Sequence, residues 1–148
     1  MAHANPSDDD LRTLLTEAQT IAVVGASSSP DRPSHGVFKK LLSAGYRVVP
    51  VNPNETEVLG QKAFASLADV PYPIDVVDVF RRPELTPDIA DEAVRAGAKA
   101  LWLQSGIVND EAERRARAGG LTVVMDACLG VMHGVLGVGR RAEPPQSV

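Results

Sequence analysis

The sequence predicts an α/β fold: a mainly parallel, doubly wound sheet of five strands with helices on both faces. Two observations support this fold. Short apolar segments rich in β-branched residues alternate five times with segments whose apolar residues recur every three or four positions. Each helical segment is also long enough to cross between two parallel strands. The sequence shows no internal repeat and no second domain, so residues 1–148 are predicted to form one domain.

The strands are predicted from short apolar runs at 20–24, 47–51, 74–80, 100–103 and 121–125. The first run is apolar on both faces, as is usual for a parallel strand covered by helices on both sides. Pro50 interrupts the second run, and proline cannot donate a hydrogen bond to a central ladder. The second strand is therefore expected to lie near an edge of the sheet or to turn its proline nitrogen away from its neighbour. A further short extended piece is expected at 62–64.

Helices are expected where caps and glycine stops enclose amphipathic segments, at about 8–18, 34–44, 87–96, 109–118 and 129–136. Asp8 or Asp9 is the expected cap of the first helix, and Ser34 is the expected cap of the second. Residues 1–7 and 138–148 have no such pattern and are expected to be flexible tails.

Composition and charge restrict the partners and the cellular setting. The net charge of −4 argues against a nucleic-acid or acidic-membrane partner, because both need a surplus of Lys and Arg. Cys128 is the one cysteine, so no intramolecular disulfide can form, which fits a reducing, cytoplasmic setting. No apolar run approaches the ~20 residues needed to cross a bilayer, and residues 1–10 do not look like a secretory signal. No Cys/His spacing suggests a metal site.

The loop 25–34, which joins the first strand to the second helix, has the features of a phosphate-binding loop. In doubly wound sheets, ligands bind beyond the carboxyl ends of the strands. Gly25 can take backbone angles closed to other residues and lets a phosphate approach the main chain. The N–H groups and the dipole of the following helix favour an anion there, and Arg32 adds a positive fork suited to phosphate. Hydroxyl donors are supplied by Ser27, Ser28, Ser29 and Ser34.

The same loop departs from the dinucleotide-binding fingerprint Gly-x-Gly-x-x-Gly. Gly25-Ala-Ser27 replaces the first two glycines, and the loop is longer before Gly36. A nicotinamide site also requires an acid at the end of the second strand to hold the ribose hydroxyls, and Asn52 followed by Pro53 stands there. Both departures argue against an NAD site. A second interpretation is that Gly25 only makes a tight turn and the serines are ordinary loop residues.

Five motifs in order, each at the carboxyl end of a predicted strand, carry a resemblance to a known family. They are Gly25-Ala-Ser…Arg32-Pro-Ser…Gly36-Val, Val51-Asn-Pro53, Phe80-Arg-Arg-Pro83, Trp102-Leu-Gln…Gly106 and Asp126-x-Cys128. Together they resemble the bacterial family of small, single-domain CoA-binding proteins, which is similar to the CoA-binding domain of the succinyl-CoA synthetase α subunit. The resemblance covers residues 11–136. It implies a Rossmann-like fold and coenzyme A as the cofactor.

The resemblance also implies roles for individual residues. It implies that the CoA phosphates are bound by Gly25, Ala26, Ser27, Arg32 and Ser34. It places Val51, Asn52 and Pro53 along the nucleotide side, and it makes Phe80, Arg81 and Pro83 the other wall of the groove. Arg81 is then available to a phosphate, and Gln104 points into the centre. The ligase relatives use a phosphorylated histidine from a further domain that this chain lacks, so ligase activity by this chain alone is not implied.

The other residues that carry chemistry are expected to have structural roles. Cys128 and His133 are five residues apart, so their side chains do not stack on one helix face, and nucleophilic catalysis is not expected. Cys128 is a candidate contact for the thiol end of CoA. Asp126 is expected to orient a loop by accepting hydrogen bonds from backbone N–H groups. Asp75 and Asp78 are predicted to face opposite sides of the sheet, and Asp78 to cap a neighbouring loop.

Three functions remain open from the sequence. The first is a binding protein that holds CoA or an acyl-CoA without catalysis of its own, alone, as a homo-oligomer or with a protein partner. The second is an NAD(P)-dependent oxidoreductase with an unusual loop. The third is the CoA-binding subunit of a multi-chain acyl-CoA synthetase. The first is favoured, because no catalytic residues or general base stand out in the sequence.

Overall fold

The computed structural model describes residues 3–139. The helices are α1 (Asp8–Glu17), α2 (Pro33–Ser43), α3 (Thr86–Arg95), α4 (Asp110–Ala118) and α5 (Leu129–Val135). The strands are β1 (Thr20–Val24), β2 (Arg47–Val51), β3 (Glu57–Val58), β4 (Gln61–Lys62), β5 (Val76–Val79), β6 (Ala100–Leu103) and β7 (Thr122–Val124). All the predicted strands and helices are present, with ends that shift by one or two residues.

The main sheet has five parallel strands in the order β2-β1-β5-β6-β7, which confirms the predicted Rossmann-like α/β fold. β2 lies at the edge of this sheet, as Pro50 predicted. β1 is followed along the chain by β2 on one side, whereas β5 is followed by β6 on the other side. The strand order therefore reverses between β1 and β5. The carboxyl ends of these two strands diverge there, and this is where such sheets bind ligands.

Two hydrophobic cores lie on the two faces of the sheet. Helices α1, α2 and α5 cover one face, where Phe38 and Leu129 pack on strand residues such as Val23 and Trp102. Helices α3 and α4 cover the other face, where Ile89 and other side chains pack on Val24, Val77 and Leu101. Trp102 is fully buried, and its indole N–H donates to the Ala127 carbonyl at 2.8 Å. The two-sided burial explains why the strands are apolar on both faces.

The structure corrects two helix caps. Ser7, and not Asp8 or Asp9, caps α1: its hydroxyl accepts from the Asp10 N–H at 3.1 Å. Helix α2 begins at Pro33, one residue before the predicted cap, and Arg32 at its N-cap makes no side-chain capping bond. Proline suits the first turn of a helix because its fixed φ matches and it has no N–H to leave unpaired. Ser34 is consequently buried within the first turn.

The segment after β2 and the ends of the described chain show further contacts. Strands β3 and β4 form a small antiparallel hairpin, and Phe64 then bridges to Val51 alongside β2. The Asn5 side chain accepts from the Met125 N–H and donates to its carbonyl, both at 2.9 Å. The predicted flexible tail at 138–148 lies, beyond residue 139, outside the described residues. Within the described part, no helix is long and apolar enough to span a membrane.

Candidate functional site

A groove of about 790 Å³ opens at the carboxyl edge of the sheet, where the strand order reverses. Its lining comes from the loops that follow β1, β2, β5, β6 and β7 and from the start of α2. The volume falls in the range of about 300–1,000 Å³ that is usual for small-molecule sites. The fold and the groove therefore point to the same place for a ligand.

Gly25 makes the turn that opens this groove, and no other residue fits there. Its φ is +90°, a backbone conformation that residues with a side chain rarely adopt. A Cβ atom at this position would lie 2.3 Å from the Phe80 carbonyl oxygen, which belongs to the chain just after β5. The Gly25 N–H meanwhile donates to the Val51 carbonyl at 2.9 Å. The loop 25–34 thus starts pressed between the ends of β2 and β5.

The side chains of Asn52 and His35, outside the loop 25–34, hydrogen-bond to its backbone. Asn52 donates from Nδ2 to the Ala26 carbonyl at 2.9 Å, and its Oδ1 accepts from the Asn54 N–H at 2.9 Å. His35 places Nδ1 3.1 Å from the Ser27 carbonyl oxygen. Asn52, at the position where a nicotinamide site has an acid, therefore holds the loop to the turn after β2. These bonds fix the loop in place before any ligand arrives.

Two arginines give the groove a positive wall. Arg32 and Arg81 both line it, and neither makes a side-chain hydrogen bond or ion pair within residues 3–139. In the same part of the chain, the backbone N–H groups of Ser27 and Ser34 donate to no backbone carbonyl. The amino end of α2, with its partial positive charge, lies at the same wall. Cations and N–H donors without partners at one wall are what an anionic group such as phosphate requires.

Glu55 is a groove residue that the sequence analysis did not single out. Its carboxylate accepts from the backbone N–H of Ser28 at 2.9 Å. This hydrogen bond holds the pKa of the Glu55 carboxyl below its ordinary value. The carboxylate thus occupies one of the loop donors that a phosphate would use. Its position four residues after the end of β2 was the signal that could have drawn attention to it.

A second, smaller cavity of about 240 Å³ lies beside the groove, on the face of the sheet that α3 covers. Val51, Pro53 and Ile89 supply apolar surface, and Leu85 adds more. Arg81 lines both this cavity and the groove. The two spaces are therefore neighbours that share one arginine.

The structure brings most of the predicted site residues together. Those that line the groove are Gly25, Ser27, Arg32, Ser34, Asn52, Phe80, Arg81 and Gln104. Val51 and Pro53 line the second cavity instead. Ala26 and Pro83 line neither. Ala26 is buried in the core beneath α2, and the Pro83 carbonyl accepts from Thr86 and Asn109 side chains.

The structure also places four other residues that the sequence singled out: Asp78, Asp126, Cys128 and His133. Cys128 lines the groove, whereas His133 does not. The His133 ring instead packs edge-on against the Tyr46 ring, with ring centroids 5.7 Å apart. Asp126 accepts from the Gly106 N–H at 2.7 Å, which confirms its predicted role in orienting a loop. Asp78 does not cap a loop: it is fully buried, and the Gln104 side chain donates to it. Within residues 3–139, no group of three His, Cys, Asp or Glu side chains could hold a metal ion.

Comparison with known families identifies the family to which this fold belongs. The model of the CoA binding domain family matches residues 19–134, which include every strand and the whole groove. The chain belongs to this CoA-binding domain family. The resemblance carried by the five strand-end motifs is thereby confirmed.

Similar proteins cover the family from single domains to large enzymes. An uncharacterized Bacillus subtilis protein, YneT, is 46% identical over 131 residues, which are 88% of this chain and 97% of that protein. A solved structure of a hypothetical protein from Pyrococcus horikoshii has 41% identity and a TM-score of 0.86, covering 92% of this chain and 99% of the other. The α subunit of the ADP-forming acetate–CoA ligase II of Pyrococcus furiosus is 29% identical over 76% of this chain. This CoA-binding domain corresponds to 27% of that subunit.

Proposed function

We propose that this protein binds coenzyme A or an acyl-CoA in the groove and has no catalytic activity of its own. One observation carries the proposal: two arginines, Arg32 and Arg81, line a groove in a CoA-binding domain together with Ser27 and Ser34. The backbone N–H groups of these two serines donate to no backbone carbonyl within residues 3–139. CoA carries phosphates at one end and a long arm with amides and a thiol at the other. A site for it needs a positive wall that continues into a less charged channel.

The lining of the groove suggests how the parts of CoA are distributed. The phosphates lie against the loop 25–34, with Arg32 on one side and Arg81 on the other. The apolar part of the second cavity, formed by Val51, Pro53 and their apolar neighbours, takes the flat adenine ring. The arm then runs past Phe80 and Gln104 toward Cys128, which places the thiol end on the far side from the phosphates.

The composition of the groove favours binding over catalysis. Its ionisable side chains in the described residues are arginines, Glu55 and Cys128. The Glu55 carboxylate is engaged by a backbone N–H, and His133 packs on Tyr46 and not on Cys128. A nucleophile activated by an adjacent base, which covalent catalysis requires, is not assembled in this groove.

A second candidate function is the CoA-binding part of a multi-chain acyl-CoA synthetase. The ADP-forming acetate–CoA ligases of Archaeoglobus fulgidus and Pyrococcus furiosus favour it, because they match this chain at 28% and 29% identity. The chain spans 16% and 27% of those relatives, so ligation would need further chains. Under this function the protein mixed with acetate, ATP and CoA is inert until a partner chain is added, and turnover by the chain alone would contradict it.

Native mass spectrometry tests the proposed function directly. The purified protein is incubated with equal concentrations of CoA, acetyl-CoA, NAD and NADP and measured under non-denaturing conditions. We expect a single added mass that corresponds to CoA or acetyl-CoA. Retention of NAD or NADP in preference would favour the oxidoreductase alternative, and an absence of any added mass would contradict a nucleotide-type ligand altogether. The Arg32→Ala variant is the matched control and should retain less CoA.

A further inference from the structure

Asp78 is an acidic residue in the interior of the sheet. It lies in β5, flanked in register by Val23 of β1 and Trp102 of β6, and it is fully buried. Its Oδ2 atom has no hydrogen-bond partner within residues 3–139. A buried carboxylate without full hydrogen bonding is costly, so its presence in a central strand calls for a physical role.

Among residues 3–139, the one side chain that hydrogen-bonds this carboxylate also lines the groove. Gln104 follows β6 and donates from Nε2 to Asp78 Oδ1. Gln104 is itself buried apart from the part that faces the groove, and its side chain makes no other hydrogen bond within the described residues. Asp78 does not line the groove itself but is linked to it through Gln104.

We propose that Asp78 is a positioning residue that orients the Gln104 amide, and so decides whether the groove offers a hydrogen-bond acceptor or a donor to the arm of CoA. The proposal rests on the proposed function, because it concerns the part of CoA that carries no phosphate. The phosphates occupy the loop 25–34 after β1. Gln104 follows β6, on the other side of β5, so the amide-bearing arm is the portion that reaches it.

The chemistry of the two side chains fixes the direction of the effect. An ionised carboxylate only accepts hydrogen bonds, so it holds the Gln104 Nε2 atom toward itself and leaves Oε1 to accept from an amide N–H of the arm. A protonated carboxyl can instead donate to Oε1, which turns the Nε2 group toward the groove. Burial raises the pKa of Asp78 to about 7, partly offset by the bond from Gln104. Both arrangements are therefore accessible near neutral pH.

Other titratable groups at this end of the molecule must be separated from Asp78 in any test. Those in the loops and at the starts of α2 and α5 are Arg32, His35, Glu55, Arg81, Arg82, Asp126 and Cys128. Further along α2, Lys40 donates to the Gly130 carbonyl of α5. None of them contributes to the shifted pKa of Asp78. On α5, His133 packs on Tyr46 at the amino end of β2, the opposite edge of the sheet. All of these groups stay unchanged when Asp78 alone is replaced.

The experiment compares wild type with Asp78→Asn by calorimetry at pH 5.5 and pH 8.5. The ligands are CoA and 3′-phospho-ADP, which carries phosphates but no arm. The ionisation of each ligand cancels in the ratio of the two proteins' dissociation constants. We expect the two proteins to bind CoA equally at pH 5.5. At pH 8.5 we expect wild type to bind CoA about three- to tenfold more tightly, the worth of one hydrogen bond. For 3′-phospho-ADP the ratio should stay near one at both pH values.

Each other outcome decides between the inference and the proposed function. The role of Asp78 would be overturned if the ratio of the two dissociation constants for CoA did not change with pH, or if the ratio for 3′-phospho-ADP changed equally. Either result would leave the proposed CoA binding intact. If wild type binds CoA at neither pH, the proposed function fails and this inference with it. If Asp78→Asn does not unfold cooperatively, Gln104→Met takes its place in the same comparison. It should then show the same loss that is specific to CoA and to high pH, and its absence would overturn the inference.

Discussion

Replacement of Gly25 by alanine tests whether the turn at the end of β1 is as restricted as its geometry indicates. At φ +90° an alanine costs about 1–2 kcal/mol in backbone conformation alone. Its Cβ would also lie 2.3 Å from the Phe80 carbonyl oxygen, although real Cβ contacts essentially never fall below 3.0 Å. The ends of β1 and β5 must then separate. We expect the free energy of unfolding to fall by about 3–5 kcal/mol in total, which is more than most single substitutions cause.

Gly120→Ala is the matched control for this experiment. Gly120 has nearly the same backbone angle, φ +87°, but nothing lies within 4 Å of its Cβ position. It precedes β7, at the edge of the sheet opposite the groove. Urea unfolding followed by circular dichroism should show a loss of about 1–2 kcal/mol for Gly120→Ala, the conformational part alone. The Gly25→Ala variant should in addition lose CoA affinity, and the Gly120→Ala variant should keep it.

Equal losses of stability for the two glycine variants would refute this reasoning. That result would mean that the approach of Gly25 to Phe80 relaxes without resistance. Unchanged CoA affinity in Gly25→Ala would separately show that the turn does not define the groove.

Three further predictions follow from the charges of the site and the core. Arg32→Ala should weaken CoA binding by about 1.5–3 kcal/mol, because a charge-assisted bond to phosphate is lost. In calorimetry the exposed Arg114→Ala on α4 should bind as wild type does, and an equal effect of both would remove Arg32 from the site. Glu55→Gln should tighten CoA binding about two- to fivefold, because a carboxylate no longer competes for the Ser28 N–H. Glu57→Gln, on the exposed side of β3, is its control, and weaker binding by Glu55→Gln would instead assign Glu55 a ligand contact. Burial raises the pKa of Asp78 from 3.8 to about 7, so its contribution to stability is complete below pH 3.8 and is lost as the pH rises to 7. Wild type should therefore lose up to about 4 kcal/mol over this range relative to Asp78→Asn in urea unfolding, and parallel pH profiles would contradict the buried ionisation.

The strands and the general position of the site were accessible from the sequence. β1, β2 and β6 begin and end where their apolar runs do, because each run is bounded by residues that break the pattern. The rule that ligands bind at the carboxyl ends of strands directed attention to the loop 25–34 and to Arg81. The strand bounds follow from local sequence pattern, and the position of the groove follows from that pattern together with the direction of the strands.

The contacts that shape the site depend on residues far apart in the chain. Glu55 bonds Ser28 across 27 positions, and Gln104 bonds Asp78 across 26. No local pattern reports such pairs. Alternation along β5 placed Asp78 on one face of the sheet. Whether a carboxylate is tolerated there depends on Gln104, which follows the neighbouring strand β6. The loop role of Asn52 was hidden for the same reason, because its partner Ala26 belongs to another loop.

The predicted starts of α1 and α2 were wrong for a different physical reason. Ser7 and Asp8 are both good caps, and their order of preference is decided by which residue lets the helix place Leu11 and Leu15 in the core. At α2, Ser34 has the side chain of a cap, but Pro33 fits the first helical position and moves the boundary one residue earlier. Competing local preferences of similar strength are settled by packing.

The most direct test of the central proposal is calorimetric titration of the wild-type protein with CoA, dephospho-CoA and NAD at one salt concentration. CoA differs from dephospho-CoA by one phosphate, and NAD shares with them an adenine nucleotide and a diphosphate but lacks the arm. If Arg32, Arg81 and the loop 25–34 form a CoA site, CoA binds more tightly than either of the other two. Equal affinity for all three ligands, or a preference for NAD, would contradict the account.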